Sequence, residues 1–170
     1  MNHSCKLVAL AVLCWAGVAR TAMAAEEQAG ICGVKLGALL ATAEAKFTLH
    51  KVGSETFKHD SQSLNAVRWE GKPRLSTSCI EVRPVATPEP NLIISIGSKS
   101  GRIIRLAHRT IETDCKVAEK RIAAALGTPA TTQDEVVEWN SVAGYRVVLT
   151  RYNGEDCWLS YISKWHGGAR

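Results

Sequence analysis

Apolar and polar positions along this 170-residue chain alternate between two rhythms, one of helix and one of strand. Leu36 to Phe47 is rich in Ala, Leu, Glu and Lys, residues that favour helix. From Cys115 onward, Cys115, Ala118, Ile122, Ala125 and Leu126 recur at the three-and-four spacing of one helical face. Asp114 is placed to cap that second helix, and Gly127-Thr128-Pro129 to stop it. The remaining apolar positions predict strands. Val67-Arg68-Trp69-Glu70 and Val137-Glu138-Trp139-Asn140 are centred on tryptophan, and Ser78 to Val82 and Asp156 to Ile162 each carry a cysteine. Leu92 to Ile96 and Arg102 to Arg109, rich in β-branched residues, flank Gly97-Ser98-Lys99-Ser100-Gly101 and read as a hairpin. Tyr145 to Tyr152 and Asp156 to Trp165 read as another across Asn153-Gly154, a strong turn signal. The polar stretch Gly53 to Ser63 reads as a loop. Arg83 to Pro90 holds three prolines, which lack the amide donor a central strand needs, so it reads as a stiff extended connection.

The resulting order is helix, three strands, connector, two strands, helix, three strands. That order predicts an α+β domain, helix plus antiparallel sheet, occupying residues 25–170. It further suggests two αβββ-like halves, 25–83 and 92–170, joined by the proline-rich connector and a hairpin.

Composition places this domain. Hydrophobic residues make up 46% and charged residues 22%, with a mean hydropathy of -0.04, so a disordered tail and a membrane bundle are both excluded. Met1 to Ala24 has the signature of a cleaved secretory signal: Lys6, the apolar run Leu7 to Ala19, then Ala22-Met23-Ala24. The run is too short to span a bilayer, and Leu13 is bulky where a lipoprotein signal ending at Cys14 needs a small residue. Lys6 and Arg20 leave with this segment and no acid does, so the net charge falls from +5 to +3. So mild an excess gives no ground for a nucleic-acid partner.

Cys5 and Cys14 also leave, and the four that remain, Cys32, Cys79, Cys115 and Cys157, read as two disulfides formed in an oxidising compartment. Four cysteines allow three pairings. The approximate repeat favours Cys32 with Cys79 and Cys115 with Cys157, each tying a helix start to its own sheet. A zinc site is disfavoured because no Cys-x-x-Cys occurs. Periplasmic or secreted localisation follows as an expectation.

Gly33-Val34-Lys35-Leu36-Gly37 leading towards a helix, followed by antiparallel strands and repeated in outline, resembles a group of small exported αβ modules of Gram-negative bacteria. These are of the β-lactamase-inhibitor-protein and outer-membrane-assembly-lipoprotein type. The resemblance implies a helix-plus-antiparallel-sheet unit that binds proteins, without a cofactor. This chain has Ala38-Leu39 after Gly37, where that group usually carries a Gly-x-Thr or Gly-x-Ser cap.

Motifs of catalysis are sparse. His-Glu-x-x-His, the phosphate loop and Gly-x-Gly-x-x-Gly are absent. Gly97 to Gly101 places Lys99 where a nucleophile elbow needs serine, and it reads as a turn tip. His59-Asp60-Ser61 holds triad residue types, but adjacent side chains do not form a triad's chain of hydrogen bonds, so it reads as surface loop.

Two surfaces are candidates for a protein partner. Lys99, Arg102, Arg105, His108 and Arg109 make a basic stripe, with Arg105, Ala107 and Arg109 on one face of a strand. Such a stripe suits an acidic partner or an anionic surface, although a simply solvated sheet face is the commoner arrangement. On the C-terminal hairpin, Cys157, Leu159, Tyr161, Val147 and Leu149 form the core side. The other side carries Arg146, Val148, Thr150 and Tyr152 on one strand and Trp158, Ser160, Ile162 and Lys164 on its neighbour. Pattern alone favours a helix covering that side, with Trp158 in a core; left open, its arginines and aromatics form a binding surface. The partner-binding candidates are therefore Arg105, Arg109, Arg146, Tyr152, Trp158 and Lys164. The competing class is a small secreted hydrolase, for which Glu112, Asp114, Asp134 and Glu135 are the carboxylates to consider.

Overall fold

The computed structural model describes residues 30–59, 62–74, 79–82, 90–140, 144–152 and 156–163. The signal-like segment, Asp60-Ser61, nearly all of the proline connector, the Asn153-Gly154 turn and Lys164 lie outside them. The described residues begin with two short strands, β1 (Gly30–Ile31) and β2 (Val34–Lys35), and the helix α1 (Leu40–Glu44). Four strands follow: β3 (Phe47–His59), β4 (Gln62–Pro73), β5 (Leu92–Gly97) and β6 (Ile103–Arg109). The helix α2 (Cys115–Leu126) then leads into β7 (Thr131–Gln133), β8 (Val136–Asn140), β9 (Tyr145–Tyr152) and β10 (Asp156–Ser163). β1 and β2 pair with each other, and β3 to β10 form one eight-stranded antiparallel sheet in the order β3-β4-β5-β6-β10-β9-β8-β7. The described residues are thus largely antiparallel sheet with two helices.

Cross-strand register sorts the side chains into two faces, because residues directly opposite each other point the same way. One line runs Ile94, Leu106, Tyr161, Val147, Trp139, and a second runs Leu92, His108, Leu159, Leu149, Val137. Both helices pack on this face. Ala43 of α1 joins Phe47, Leu92, Ile94 and Leu106 in one apolar cluster. Cys115, Ala118 and Ile122 of α2 join Val137, Trp139, Leu149 and Leu159 in another, and Leu36 and Tyr161 touch both.

α2 forms where the pattern places it. Asp114 accepts a hydrogen bond from the Lys116 amide at 2.8 Å. The helix ends at Gly127, whose φ of 85° suits a residue without a Cβ. The first helix is much shorter than Leu36 to Phe47. Gly37 and Ala38 are taken by the sheet, the Gly37 amide donating to Ile103 O at 2.8 Å and the Ile103 amide to Ala38 O at 2.8 Å. Phe47 already opens β3, and Leu39 provides no side-chain cap. Tertiary pairing here overrides helix propensity.

Gly53 to Ser63 is corrected from loop to strand. β3 and β4 pair from Phe47–Pro73 out to His59–Gln62, with a bulge at Val52. Only Ala66 to Gly71 of β4 is also paired with β5, so the outer part is a two-stranded arm. The outer arm has no apolar run because β3 meets the core only near its start, at Phe47 and Leu49. Near the root of the arm, Gly71 approaches β3 so closely that a Cβ would lie 2.1 Å from Thr48 O.

Residues 79–82 form a bend rather than the expected strand, with Ile80 81% exposed and Val82 buried. The disulfides join Cys32 to Cys79, with Cα atoms 5.0 Å apart, and Cys115 to Cys157, 5.4 Å apart. Disulfides of this kind belong to chains that fold under oxidising conditions. The second ties a helix start to the sheet as the repeat suggests. The first joins two turns instead: Cys32 and Gly33 sit at φ 53° and 79° between β1 and β2, a hairpin turn of the primed kind. Among the described residues no helix is long and apolar enough to cross a membrane.

Candidate functional site

The face of the sheet opposite the helices is built from three adjoining cross-strand lines. Arg109, Trp158, Thr150 and Val136 form one; Ile93, Ala107, Ser160, Val148 and Glu138 the next; Ser95, Arg105, Ile162, Arg146 and Asn140 the third. Among the described residues no helix covers it. The expectation of a helix-covered hairpin is thereby corrected: Trp158 is only half-buried and stands beneath an arginine rather than inside a core. The reason lies in connectivity. α2 follows β6 and crosses back over the sheet to reach β7 on the side already occupied by α1, leaving the other side bare.

The middle of this face is nevertheless dry. Ser95 and Ala107 are fully buried, and Ser160 and Ile93 are nearly so. The flanking arginines are themselves largely buried, the side chain of Arg109 being 11% exposed and those of Arg105 and Arg146 23%. The Arg105 guanidinium sits 5.8 Å from the centre of the Phe57 ring and that of Arg109 5.6 Å from the Trp158 ring, both cation–π distances. Each arginine also meets an acid: Arg105 with Glu55 at 3.8 Å, Arg109 with Asp156 at 3.4 Å, Arg146 with Glu138 at 3.1 Å, and Arg68 with Glu70. Ser95 donates a hydrogen bond to Glu55. These side chains are 11–36% exposed, so solvent screens the pairs in part and their contribution to stability is modest. Their larger effect is to fix long side chains in place.

Arg105, Arg109, Arg146 and Trp158, expected at the partner surface, are thus brought onto one face. Tyr152 pairs through its backbone with Asp156 at the end of β9, but its side chain and all of Lys164 fall outside the described residues. The basic stripe does not survive as a unit. Arg105 and Arg109 are balanced by acids, and Arg102 donates from Nη1 to Gly37 O at 2.8 Å, bracing the start of α1. His108 points the other way, into the helix face, where it is 3% exposed. Sequence reading missed the contribution of β3 and β4, namely Glu55, Phe57, Arg68 and Glu70. The alternation Glu55-Thr56-Phe57 is the signal that marks them, hidden by the polar residues around it.

His108 is a site of pH sensitivity. Burial removes its imidazolium from water and holds its pKa at about 4, although its Nδ1 lies 3.0 Å from Arg109 O. The unfolded chain takes up that proton near the ordinary value of 6.5, so the group's contribution is complete above 6.5 and is lost as pH falls towards 4. Between about pH 7 and about pH 4.5 this one residue is expected to lower unfolding free energy by about 2 kcal/mol. Guanidinium titrations at the two pH values check it: a His108→Gln variant should lose that increment of pH dependence, and an unchanged slope would refute the assignment.

Of the four carboxylates considered for hydrolysis, Glu112 and Asp114 have structural occupations, and Asp134 and Glu135 lie exposed in a turn. Glu112 accepts from Arg121 Nε at 2.6 Å and Nη2 at 3.4 Å; burial opposes its ionisation, but the guanidinium outweighs this and holds its carboxyl below the ordinary value. Asp114 caps α2, and Asp134 takes up φ 40° in the β7–β8 turn, where the Glu135 carbonyl accepts from the Arg151 amide at 2.8 Å. The pocket on the helix face, of about 410 Å³, is lined by none of the four. Compared with known proteins, the chain matches no family model, no curated protein and no solved structure.

Proposed function

We propose that this protein is a periplasmic or secreted protein-binding module that docks its partner on the open face of the sheet, in the manner of an inhibitor or immunity-type partner of an envelope enzyme or toxin. One observation supports this above the others: Trp158 and Phe57 are each half-buried under an arginine, over a dry floor of Ile93, Ser95, Ala107 and Ser160. Aromatic and arginine side chains that are already immobilised lose little entropy on binding, and they are the residue types on which interface energy concentrates. No cofactor enters this function. The signal-like Met1 to Ala24 and the two disulfides support the compartment. Two halves, 25–83 and 92–170, are part of the same reading: α1, β3 and β4 belong to the first, which lacks its expected third strand at residues 79–82, and α2 with β8, β9 and β10 supports the αβββ-like outline of the second.

The test is capture of partners from envelope and secreted fractions on immobilised native protein. A Trp158→Ser/Arg109→Ser double variant is run beside it, with Lys116→Ser on the exposed side of α2 as control. A specific partner should bind native protein and the control equally and bind the double variant at least about tenfold more weakly at unchanged melting temperature. Equal retention by all three, or no enrichment over reduced, unfolded protein, refutes the proposal.

A further inference from the structure

On the opposite side of the sheet, the pocket of about 410 Å³ opens between the C-terminal half of α2 and the strands beneath it. This volume lies within the range of sites for small molecules. Ile122, Val147 and Leu159 supply part of its lining and Glu81 and Arg121 another, and two tyrosines stand in it, Tyr145 and Tyr161, edge to face with centroids 6.3 Å apart. The rings are held from behind, since Tyr161 stacks on buried His108 at 6.4 Å.

Two charged residues line the same pocket, Glu81 and Arg121, and they are not equivalent. Arg121 is engaged by both carboxylate oxygens of Glu112, so its charge is met locally. The Glu81 carboxylate lies 3.5 Å from Cys32 Sγ and 3.6 Å from Cys79 Sγ, and disulfide sulfurs donate no proton. Among the described residues no cation pairs with it. His108, with its pKa at about 4, is neutral near neutral pH, and burial raises Tyr161 to about 12, so neither adds charge. Of the two charged lining residues, then, Arg121 is met by Glu112, whereas Glu81 has no cationic partner among the described residues and shares the pocket with two electron-rich rings.

We propose that this pocket binds a small organic cation, an amine or quaternary ammonium on an apolar body, with the cation between Glu81 and the tyrosine rings and the body against Ile122, Val147 and Leu159. A carboxylate and a ring face both attract a desolvated cation, and the apolar part of the lining accounts for the rest of the molecule. Because the Cys32–Cys79 disulfide ties down the bend that carries Glu81, the acid is positioned before ligand arrives. The site stands on the far side of the sheet from the partner surface, so the failure of one proposal leaves the other standing.

The probe is benzyltrimethylammonium, titrated into the oxidised full-length protein, with benzyl alcohol as its neutral and phenylacetate as its anionic counterpart. Calorimetry gives affinity, and ring-proton resonances of Tyr145 and Tyr161 report the place. The expected result is saturable one-to-one binding of the cation, about tenfold tighter than benzyl alcohol and tighter still than phenylacetate. Glu81→Gln, an exposed isosteric change, should weaken the cation about fivefold or more and leave benzyl alcohol unaffected. Absence of saturable cation binding, equal binding of phenylacetate, or a Glu81→Gln protein of unchanged melting temperature that binds the cation as before would each overturn the proposal. Should the variant melt early, the ranking of the three probes on unmodified protein decides alone.

Discussion

Replacing Trp139 by alanine is expected to lower unfolding free energy by about 4 kcal/mol. This side chain is the largest of the fully buried ones among the described residues, 1% exposed, and lies between Val147 on the neighbouring strand and the end of α2. Its loss removes apolar area and leaves a cavity that a sheet and a helix fixed at both ends do not collapse to fill. It also removes the indole hydrogen bond to Gly127 O at 3.1 Å, which satisfies a carbonyl at the helix C-terminus. Trp139→Phe separates the two effects: it keeps most of the volume and should lose about 1–2 kcal/mol. Guanidinium unfolding followed by circular dichroism makes the measurement. An alanine variant within about 1 kcal/mol of the parent would mean that the indole is not tightly packed between sheet and helix.

A loss of similar size is expected on removing the Cys115–Cys157 disulfide. The two cysteines are 42 residues apart, and in the chain-entropy account closing such a loop stabilises by about 4 kcal/mol. Cys32 and Cys79 are 47 apart, so the entropic increment is nearly the same. The surroundings differ. Cys115 and Cys157 are 5% and 2% exposed within the α2 cluster, whereas Cys32 and Cys79 are half-buried beside exposed Glu81. A Cys115→Ala/Cys157→Ala variant should therefore lose more than Cys32→Ala/Cys79→Ala, because two packed sulfurs are lost along with the crosslink. Equal losses would show that closure entropy alone acts at both, and a smaller loss at Cys115–Cys157 would contradict the close packing of its sulfurs under α2.

The elements with strong local signals were readable from residues alone. α2 has a cap, a periodic apolar stripe and a glycine stop within one stretch of sequence, so its limits follow from local chemistry. The hairpin from Leu92 to Arg109 is dense in β-branched residues around a glycine-bounded turn. The C-terminal hairpin also sorts correctly, with Cys157, Leu159 and Tyr161 on the core side. Where reading failed, distant partners decided. Gly37 and Ala38 lie in a stretch of helical composition but are bound to β6, and Glu55, Thr56 and Lys58 are polar yet paired along β4. A two-stranded arm needs backbone hydrogen bonds rather than burial, so it leaves little trace in hydropathy.

The candidate surface shows the same division. That Arg146, Val148, Thr150, Trp158, Ser160 and Ile162 share a side is a consequence of the two-residue period of a strand, and the sequence alone determines it. The same local regularities determine α2, the central hairpin and the separation of core from polar positions on β9 and β10. Only the tertiary structure decides that this side stays uncovered, that β3 and β4 add Phe57, Glu55 and Arg68 to it, and that His108 turns inward while its neighbours Ala107 and Arg109 turn outward to the open face. Only it decides, too, that Glu81 stands unpaired among the described residues while Arg121 is neutralised by Glu112, nine positions away. Periodicity is set by the bonds within a segment. Which face is covered, and which charge meets which, depends on strand order and on the path of α2 across the sheet, interactions between segments far apart in the chain.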